Sequence, residues 1–428
     1  MKRIIDFVAK HPLAITALVC FVFYFLPFKP KPFGDGEYHE GTLQLIQYVL
    51  DGFHGNVRVD KGLLPLFYYL VPYSLAYVFH NDTVYYLFGI IFNSAIICIG
   101  IKYLFKSFDL LQFSNTSKFW TVIILNLFPI HAYYASGILA ESGSFFAVCL
   151  MVYFWIKIFV AKSTASIDFM LLAVATGMLV GFRPNLLPFA VVFLIYLMLI
   201  KYNLQYKLVF ATTLIGFVLL LTITEKALSK DDGEFKKEVF RKQLLWSRFE
   251  LREEPFNWLP QHGHDGFESS DYLHNLAKRR ELDSICDANK LDKTRYYLHW
   301  VASDIFQNPV LTVRQYTLKF FQSQSFIISP LMKSNKSKWV KYGVHLYINA
   351  INYILIFFSI ATIIVLLKKK EYQLIIPFLL LWVWSLVYVF IFHSEQRYLF
   401  PVRPVLVFLF AYFVNYYFNK KLVLQGTS

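Results

Sequence analysis

Charged residues are scarce in this chain of 428 residues, in which only 16% are Asp, Glu, Lys or Arg and 57% are hydrophobic. A soluble domain is typically about 25% charged and about 45–50% apolar, so the composition excludes an ordinary soluble globular protein. Apolar runs of about 17–25 residues recur instead, and each is long enough to cross a bilayer core of about 30 Å. The alternating pattern that a transmembrane barrel requires is missing from the sequence. The chain is therefore predicted to be an all-α polytopic membrane protein.

Cysteine is also rare, with four in the whole chain. Cys20, Cys98 and Cys149 lie within apolar runs and only Cys286 lies in a polar region, so the sequence predicts no disulfide framework. The phosphate-binding loop, the dinucleotide fingerprint and the H-E-x-x-H zinc motif do not occur. The G-x-S-x-G motif of hydrolases does not occur either. A nucleotide-driven cytoplasmic enzyme is therefore not supported.

Acidic residues are outnumbered, since the net charge is +14. A basic protein can bind nucleic acid, but polytopic membrane proteins collect Lys and Arg in their cytoplasmic loops. We therefore expect membrane lipids around the chain and no nucleic-acid partner. The N-terminal segment has a basic start at Lys2 and Arg3 and an apolar run up to Phe28. Because this run lacks a small-residue cleavage site, residues 1–28 are interpreted as a retained first span.

One apolar run, Gly62–Phe79, contains Pro65 and Pro72. Counting it as a span would move most of the loop lysines to the outside, against the positive-inside rule. We therefore expect this run to lie along or dip into the outer leaflet as a helix broken at its prolines. The other runs predict ten transmembrane helices at about residues 12–28, 83–101, 119–136, 142–160, 167–182, 184–200, 207–224, 343–367, 372–392 and 399–418.

This topology predicts three parts of the chain. Residues 1–224 form an N-terminal transmembrane module whose first outer loop is 29–82, residues 225–340 form a helical extracytoplasmic loop, and residues 341–428 form the last transmembrane helices. Helix-like stretches occur in the large loop at 234–250 and 270–289. An aromatic and basic stretch at 296–328 has the composition of an amphipathic helix on the membrane surface.

The first outer loop carries the stretch Asp35-Gly36-Glu37-Tyr38-His39-Glu40. A carboxylate held at a membrane surface can act as a general base towards a hydroxyl group. Asp35 and Glu37 together also suit a divalent cation. The alternative is a solvated loop that begins a helix, because the macrodipole favours acids at a helix N-terminus. The residues alone leave these alternatives open.

Other ionisable residues fall at the same outer face in this topology. Glu141 lies at the mouth of an apolar run, where it marks either a functional site or the start of a helix. Arg183 lies between two adjacent runs, where a guanidinium suits a phosphate or a buried carboxylate, or snorkels to the interface. A short loop before the last span carries His393, Glu395 and Arg397. The Arg397 guanidinium is suited to neutralising a departing phosphate, and the alternative is a short loop of solvated charges.

These residues, in this order, resemble GT-C membrane glycosyltransferases, specifically the bacterial relatives of the dolichyl-phosphate-mannose protein mannosyltransferases (glycosyltransferase family 39). The resemblance covers most of the chain except about 225–300. A glycine separates Asp35 from Glu37 where many relatives have adjacent acids, and the Lys-Pro-Pro form of the second stretch is replaced by Lys61 and Pro65. The matching stretches are 35–52, 61–69, 128–141, 181–184 and 395–401.

The resemblance implies transfer of a sugar from a polyprenyl-phosphate donor to a hydroxyl of a lipid, glycan or protein acceptor, with inversion at the anomeric carbon. Asp35 or Glu37 would be the base, and Arg397 or Arg183 would neutralise the departing phosphate. The one candidate cofactor is the divalent cation that Asp35 and Glu37 would bind. We expect the bacterial inner membrane, with the site facing the periplasm. The residues expected to contact substrates are Tyr38, His39, Lys61, Glu141, Arg183, His393, Glu395, Arg397 and Tyr398.

Two other functions remain as alternatives. A transporter or flippase for lipid-linked sugars would need polar groups along a path through the membrane, whereas the ionisable groups singled out here cluster at one face. A polymerase or ligase for lipid-linked glycans would use similar chemistry at the same face, and only the motif order argues against it.

Overall fold

The computed structural model describes residues 2–26, 30, 32–33, 36–60, 62–127, 129–229, 234–253, 269–326, 331, 335–392 and 396–425. Within these residues the regular secondary structure is helical and no strand occurs, which confirms the all-α polytopic fold class. The chain divides into two compact units. The transmembrane unit comprises Met1–Lys230, Lys333–Trp382 and Phe400–Ser428, and the loop unit comprises Asp231–Met332 and Val383–Leu399. The three-part division at 224/225 and 340/341 stays a prediction.

The N-terminal half of the transmembrane unit follows the predicted apolar runs closely. Two helices meet at a bend of 76° in the first run, because His11 precedes Pro12 and the residue before a proline is pushed out of the helical conformation. The helices, in chain order, are α1 (Lys2–Lys10), α2 (Pro12–Tyr24), α3 (Gly36–Leu50), α4 (Leu63–Ala76), α5 (Asp82–Leu110), α6 (Asn115–Leu127), α7 (Ile130–Ala135), α8 (Glu141–Phe159), α9 (Ser166–Phe182), α10 (Leu187–Leu199) and α11 (Leu204–Leu228).

The remaining helices are divided between the two units. The loop unit contains α12 (Glu234–Phe249), α13 (Ser270–Asn289), α14 (Lys293–Gln307) and α15 (Pro309–Gln324). The C-terminal helices are α16 (Lys338–Lys368), α17 (Ile376–Ile391), whose residues divide between the two units, and α18 (Arg403–Gln425).

Among the described residues, five helices are long and apolar enough to cross a membrane, and the bent pair α1–α2 makes a sixth if it is one span. The chain is thus a multi-pass integral membrane protein. The run predicted as one span at 119–136 is two helices, since Pro129 has no N–H to continue α6 into α7. The total of ten spans stays a prediction. The five long helices are Asp82–Leu110, Glu141–Phe159, Leu204–Leu228, Lys338–Lys368 and Phe400–Phe418.

The predicted break in α4 is wrong, because the helix continues through both prolines. Pro65 lies in the first turn, where a helix needs no N–H donor, and Pro72 lies inside the helix with its ring buried. The helix ends four residues later, where a 3₁₀ turn at Tyr77–Phe79 leads to His80 in the left-handed conformation.

Both ends of α4 lie at the same end of the transmembrane unit. At its start, Gly62 (φ 100°) approaches the carbonyl of Gly181 at the end of α9 so closely that a Cβ would lie 3.4 Å from the oxygen. Its far end leads directly into α5, where the Tyr86 hydroxyl donates to the Ser136 carbonyl just before α8 (2.7 Å). The start of α8 and the end of α9 are neighbours, because these packed helices are joined by a short loop. This arrangement is the one expected of a helix that does not span.

The loop unit confirms the predicted helical stretches at 234–250 and 270–289. The stretch at 296–328 divides into α14 and α15 at Asn308-Pro309. The outward face of α15 carries apolar residues, with Val310 83% and Val313 68% exposed, beside the exposed Arg314, as in amphipathic helices that lie on a membrane. Its inward face is polar, and burial, together with the nearby Arg248 charge, lowers the pKa of the Lys319 ammonium to about 8. Contact of α15 with a membrane stays a prediction.

The position of α4 predicts the labelling of its flanking residues. In a background without the four native cysteines, His54→Cys before α4 and Thr83→Cys after it should react with an impermeant maleimide from the same side of the membrane, the outside. Lys201→Cys, between α10 and α11, should react only after permeabilisation. Labelling of positions 54 and 83 from opposite sides would show that α4 spans the membrane and would contradict the topology.

Candidate active site

Two of the predicted motifs meet at one end of the transmembrane unit. The Ile138 N–H donates to the Pro32 carbonyl (3.0 Å), so the chain entering the first outer loop lies beside the segment that leads to α8. The ring of Phe33 packs against Tyr86 with centroids 6.1 Å apart, and Tyr86 is bonded to Ser136. The backbone directly before Gly34 and Asp35 is therefore adjacent to the residues before Glu141.

A buried ion pair brings the third motif, which contains Arg183, to the same place. Arg183 Nη2 donates to Glu141 Oε1, and the two residues are only 8% and 1% exposed. Glu141 is the first residue of α8 and Arg183 directly follows α9. Each charge therefore lies at the helix end whose dipole favours it. Of the alternatives for Arg183, the structure shows the one in which the guanidinium pairs with a buried carboxylate. A contact of Glu141 or Arg183 with substrate stays a prediction.

The helices that carry this pair approach each other closely at a glycine. A Cβ on Gly143 would lie 2.3 Å from the ring of Phe182, which directly precedes Arg183. Only a residue without a side chain allows Phe182 to occupy this position. The contact therefore fixes the spacing between the start of α8 and the end of α9.

A buried polar network holds the loop before Glu141. Asn93, in the apolar helix α5, is fully buried and its Nδ2 donates to the Gly137 carbonyl (2.8 Å). The Tyr69 hydroxyl donates to the Leu139 carbonyl (2.6 Å) and accepts from the Leu139 N–H (2.7 Å). Asn93 was not predicted from the sequence, and Tyr69 was included only as part of the stretch 61–69. The available signal was an amide inside an apolar run, where an unpaired polar group is costly.

His39 connects three helices of the first outer loop. Its Nδ1 lies 2.9 Å from the Tyr73 hydroxyl in α4, and its Nε2 lies 3.4 Å from Asp82 Oδ1 at the start of α5. Burial lowers the pKa of His39 below its usual value, although the Asp82 carboxylate opposes the shift. Both ring nitrogens thus have protein partners, and our sequence analysis missed Tyr73 and Asp82. A contact of His39 with substrate stays a prediction.

The start of α3 is acidic. Glu37 lies in its first turn, where the macrodipole favours a carboxylate. Glu40 accepts a hydrogen bond from Arg58 Nη1 (3.0 Å), and Asp60 accepts one from Arg58 Nε. Glu37 also acts electrostatically on Arg58. Arg58 was missed in the sequence because it belongs to none of the motifs and approaches α3 only through the fold.

The remaining predicted site residues lie in other places. Tyr38 is 5% exposed and belongs to the core around α4. Arg397 and Tyr398 lie in a 3₁₀ turn of the loop unit, with the guanidinium 5.9 Å from the centre of the Tyr398 ring. The roles of these three residues stay predictions. Asp35, Lys61, His393 and Glu395 lie outside the described residues.

The proposed metal ligands are only partly described. Among the residues that the structure describes, no group of three His, Cys, Asp or Glu side chains is placed to hold a metal ion. Because Asp35 lies outside those residues, a divalent cation at Asp35 and Glu37 stays a prediction.

The close approach at Gly143 predicts an effect on stability. Gly143→Ala should lower the free energy of unfolding by about 1–3 kcal/mol, because the new methyl group overpacks the Phe182 ring. Gly216→Ala is the matched control, since a Cβ at this helical glycine meets no atom within 4 Å. Thermal unfolding in detergent measures both variants. Equal melting temperatures of the two variants would contradict the contact.

Residues 341–427, which contain most of α16 and all of α17 and α18, match the Alg9-like mannosyltransferase family. No curated protein matches the chain. The family match covers less than a quarter of the sequence, and it supports a GT-C mannosyltransferase but not the narrower family 39 that the motif order resembles. With the all-α fold and its apolar helices, the match identifies the chain as a membrane glycosyltransferase of the GT-C type.

Proposed function

We propose that the protein transfers mannose from a polyprenyl-phosphate donor to a hydroxyl group of an acceptor, at the extracytoplasmic face of the membrane and with inversion. Mannose is favoured by the match to a mannosyltransferase family. Alg9-like mannosyltransferases use lipid-linked donors and glycan acceptors, which favours a glycan over a protein or lipid acceptor. The motif order that resembles family 39 agrees with a polyprenyl-phosphate donor. The proposed location is the bacterial inner membrane, with the site facing the periplasm.

The observation that carries this proposal is the meeting of three distant motifs at one end of the transmembrane unit. The hydrogen bond from Ile138 to Pro32 and the ion pair of Glu141 with Arg183 bring together segments from the first outer loop, the start of α8 and the end of α9. A sugar carried on a lipid phosphate is presented at the membrane surface. A site at the ends of the helices therefore suits such a donor better than a site at mid-membrane depth.

The proposed reaction is a direct displacement. The carboxylate of Asp35 or Glu37 takes the proton of the acceptor hydroxyl, and the oxygen attacks the anomeric carbon of the donor sugar. The bond between the acceptor oxygen and this carbon forms as the bond to the phosphate oxygen breaks. The electron pair leaves with the polyprenyl phosphate. A carboxylate at the first turn of α3 lies where the helix macrodipole favours negative charge.

The departing phosphate gains negative charge and needs a cation nearby. Arg397 and Arg183 are the two candidates from the sequence. Arg183 is already paired with Glu141 within hydrogen-bonding distance. Arg183 then has a positioning role, since it fixes the start of α8 against the end of α9.

Substitution at the start of α3 tests the proposed base. With polyprenyl-phosphate mannose as donor, Asp35→Asn should lower the transfer rate by about 10²–10⁴-fold, the usual contribution of a general base. Asp51→Asn is the matched control, because this exposed carboxylate follows the opposite end of α3. Its rate should equal that of the wild type. Folding of each variant is checked by its melting temperature.

A parallel Glu37→Gln variant distinguishes the two carboxylates. A loss of this size in Glu37→Gln alone would move the base to Glu37. Full activity of both variants would contradict the assignment of the base to the start of α3.

A further inference from the structure

A concave site lies in the transmembrane unit, away from the candidate active site. Its volume is about 900 Å³, within the range of about 300–1,000 Å³ that is usual for small-molecule sites. The walls come from the ends of α5, α8 and α16 and from α18. All lining residues belong to the transmembrane unit, so the cavity is complete within it.

This cavity lies at the opposite end of α8 from the ion pair. Glu141 begins α8, whereas Phe159 and Val160 at its other end line the cavity. A helix of this length extends about 28 Å, which is close to the thickness of a bilayer core. The Trp155 indole donates to the Gln373 carbonyl (2.7 Å), and this bond fixes the cavity wall to the end of α8. By the charge bias of the loops, this end faces the cytoplasm.

The cavity combines positive charge with an aromatic wall. Lys369 and Lys370 line it directly after α16, and neither forms a salt bridge within the described part of the chain. The Lys369 ammonium lies 4.3 Å from the centre of the Tyr416 ring. The single acidic residue that lines the cavity, Glu371, accepts a hydrogen bond from the Tyr412 hydroxyl (3.0 Å). The lining therefore contains two positive charges and one carboxylate, and that carboxylate already has a hydrogen-bond partner.

The chemistry of this cavity fits an anionic amphiphile. Lysines that directly follow a transmembrane helix, and basic pockets between such helices, bind anionic lipid headgroups. Phe113 and Phe159 also line the cavity, and this apolar surface suits the glycerol and the first acyl carbons of a lipid. We propose that the cavity binds the phosphate headgroup of an anionic phospholipid from the cytoplasmic leaflet. This site is separate from the candidate active site and does not depend on the proposed reaction.

A lipid-binding measurement on the full-length protein tests this proposal. The chain is purified in neutral detergent and titrated with phosphatidylglycerol, phosphatidylcholine or inorganic phosphate, and native mass spectrometry counts the molecules retained. The variant Lys369→Gln with Lys370→Gln should weaken phosphatidylglycerol binding about tenfold, since each basic residue near an anionic headgroup contributes appreciably. The matched control, Lys102→Gln with Lys201→Gln, removes the same charge at positions that do not line the cavity.

The arms of this experiment separate the outcomes. The proposal is supported if the protein retains phosphatidylglycerol but not phosphatidylcholine. This retention should be lost in the Lys369→Gln, Lys370→Gln variant and kept in the control variant. Equal retention of both lipids would show an apolar groove without headgroup recognition and would overturn it. Equal losses in both double variants would show non-specific attraction and would also overturn it. Displacement of the lipid by inorganic phosphate would assign the cavity to free phosphate and overturn the lipid assignment. Melting temperatures of the two double variants should agree.

Discussion

The candidate active site depends on the buried ion pair between Glu141 and Arg183. Removing two charges from water is costly, and the pair is retained only because each partner compensates the other. Loss of one partner would leave an unpaired buried charge, at a cost of about 3–5 kcal/mol, whereas an exposed pair contributes about 1 kcal/mol or less. The pair is therefore a strong constraint on the start of α8 and the end of α9. The approach of Gly143 to Phe182 and the hydrogen bonds of Tyr69 and Asn93 act on these same segments.

The first outer loop is attached to this scaffold by contacts of both side chains and backbone. His39 joins α3 to α4 and α5, and the Pro32 carbonyl joins the loop to the segment before α8. The acidic start of α3 is thus carried by a helix with fixed neighbours. Because a catalytic base must be held within reach of its proton, such fixed attachment is what the proposed chemistry requires. The cavity at the other end of α8 has no part in this proposed chemistry.

The sequence predicted the elements of this fold better than their contacts. The bounds of α8 and α9 lie close to the apolar runs, since long runs bounded by polar residues leave few alternatives. The start of α5 was also predicted, but this helix extends beyond the predicted end at about residue 101 to Leu110. The break at Pro129 and the continuity of α4 through Pro72 were not predicted, because neighbouring helices decide whether a proline interrupts a helix. The charge bias predicted that Glu141 and Arg183 lie at the same face, and the structure places them together, whereas the outer location of that face stays a prediction. Their pairing, like that of His39 with Tyr73, joins residues far apart in the chain, which no local pattern encodes.

The central claim is that the protein uses a lipid-linked sugar at one face of the membrane. The most direct measurement is the consumption of labelled donor by the purified protein in liposomes of known orientation. We predict consumption of polyprenyl-phosphate mannose when it is presented on the side of the α3–α4 loop, with release of polyprenyl phosphate, and no consumption of a nucleotide-linked mannose from either side. Consumption of the nucleotide-linked sugar, or of the lipid-linked sugar only from the side of the α10–α11 loop, would contradict this account.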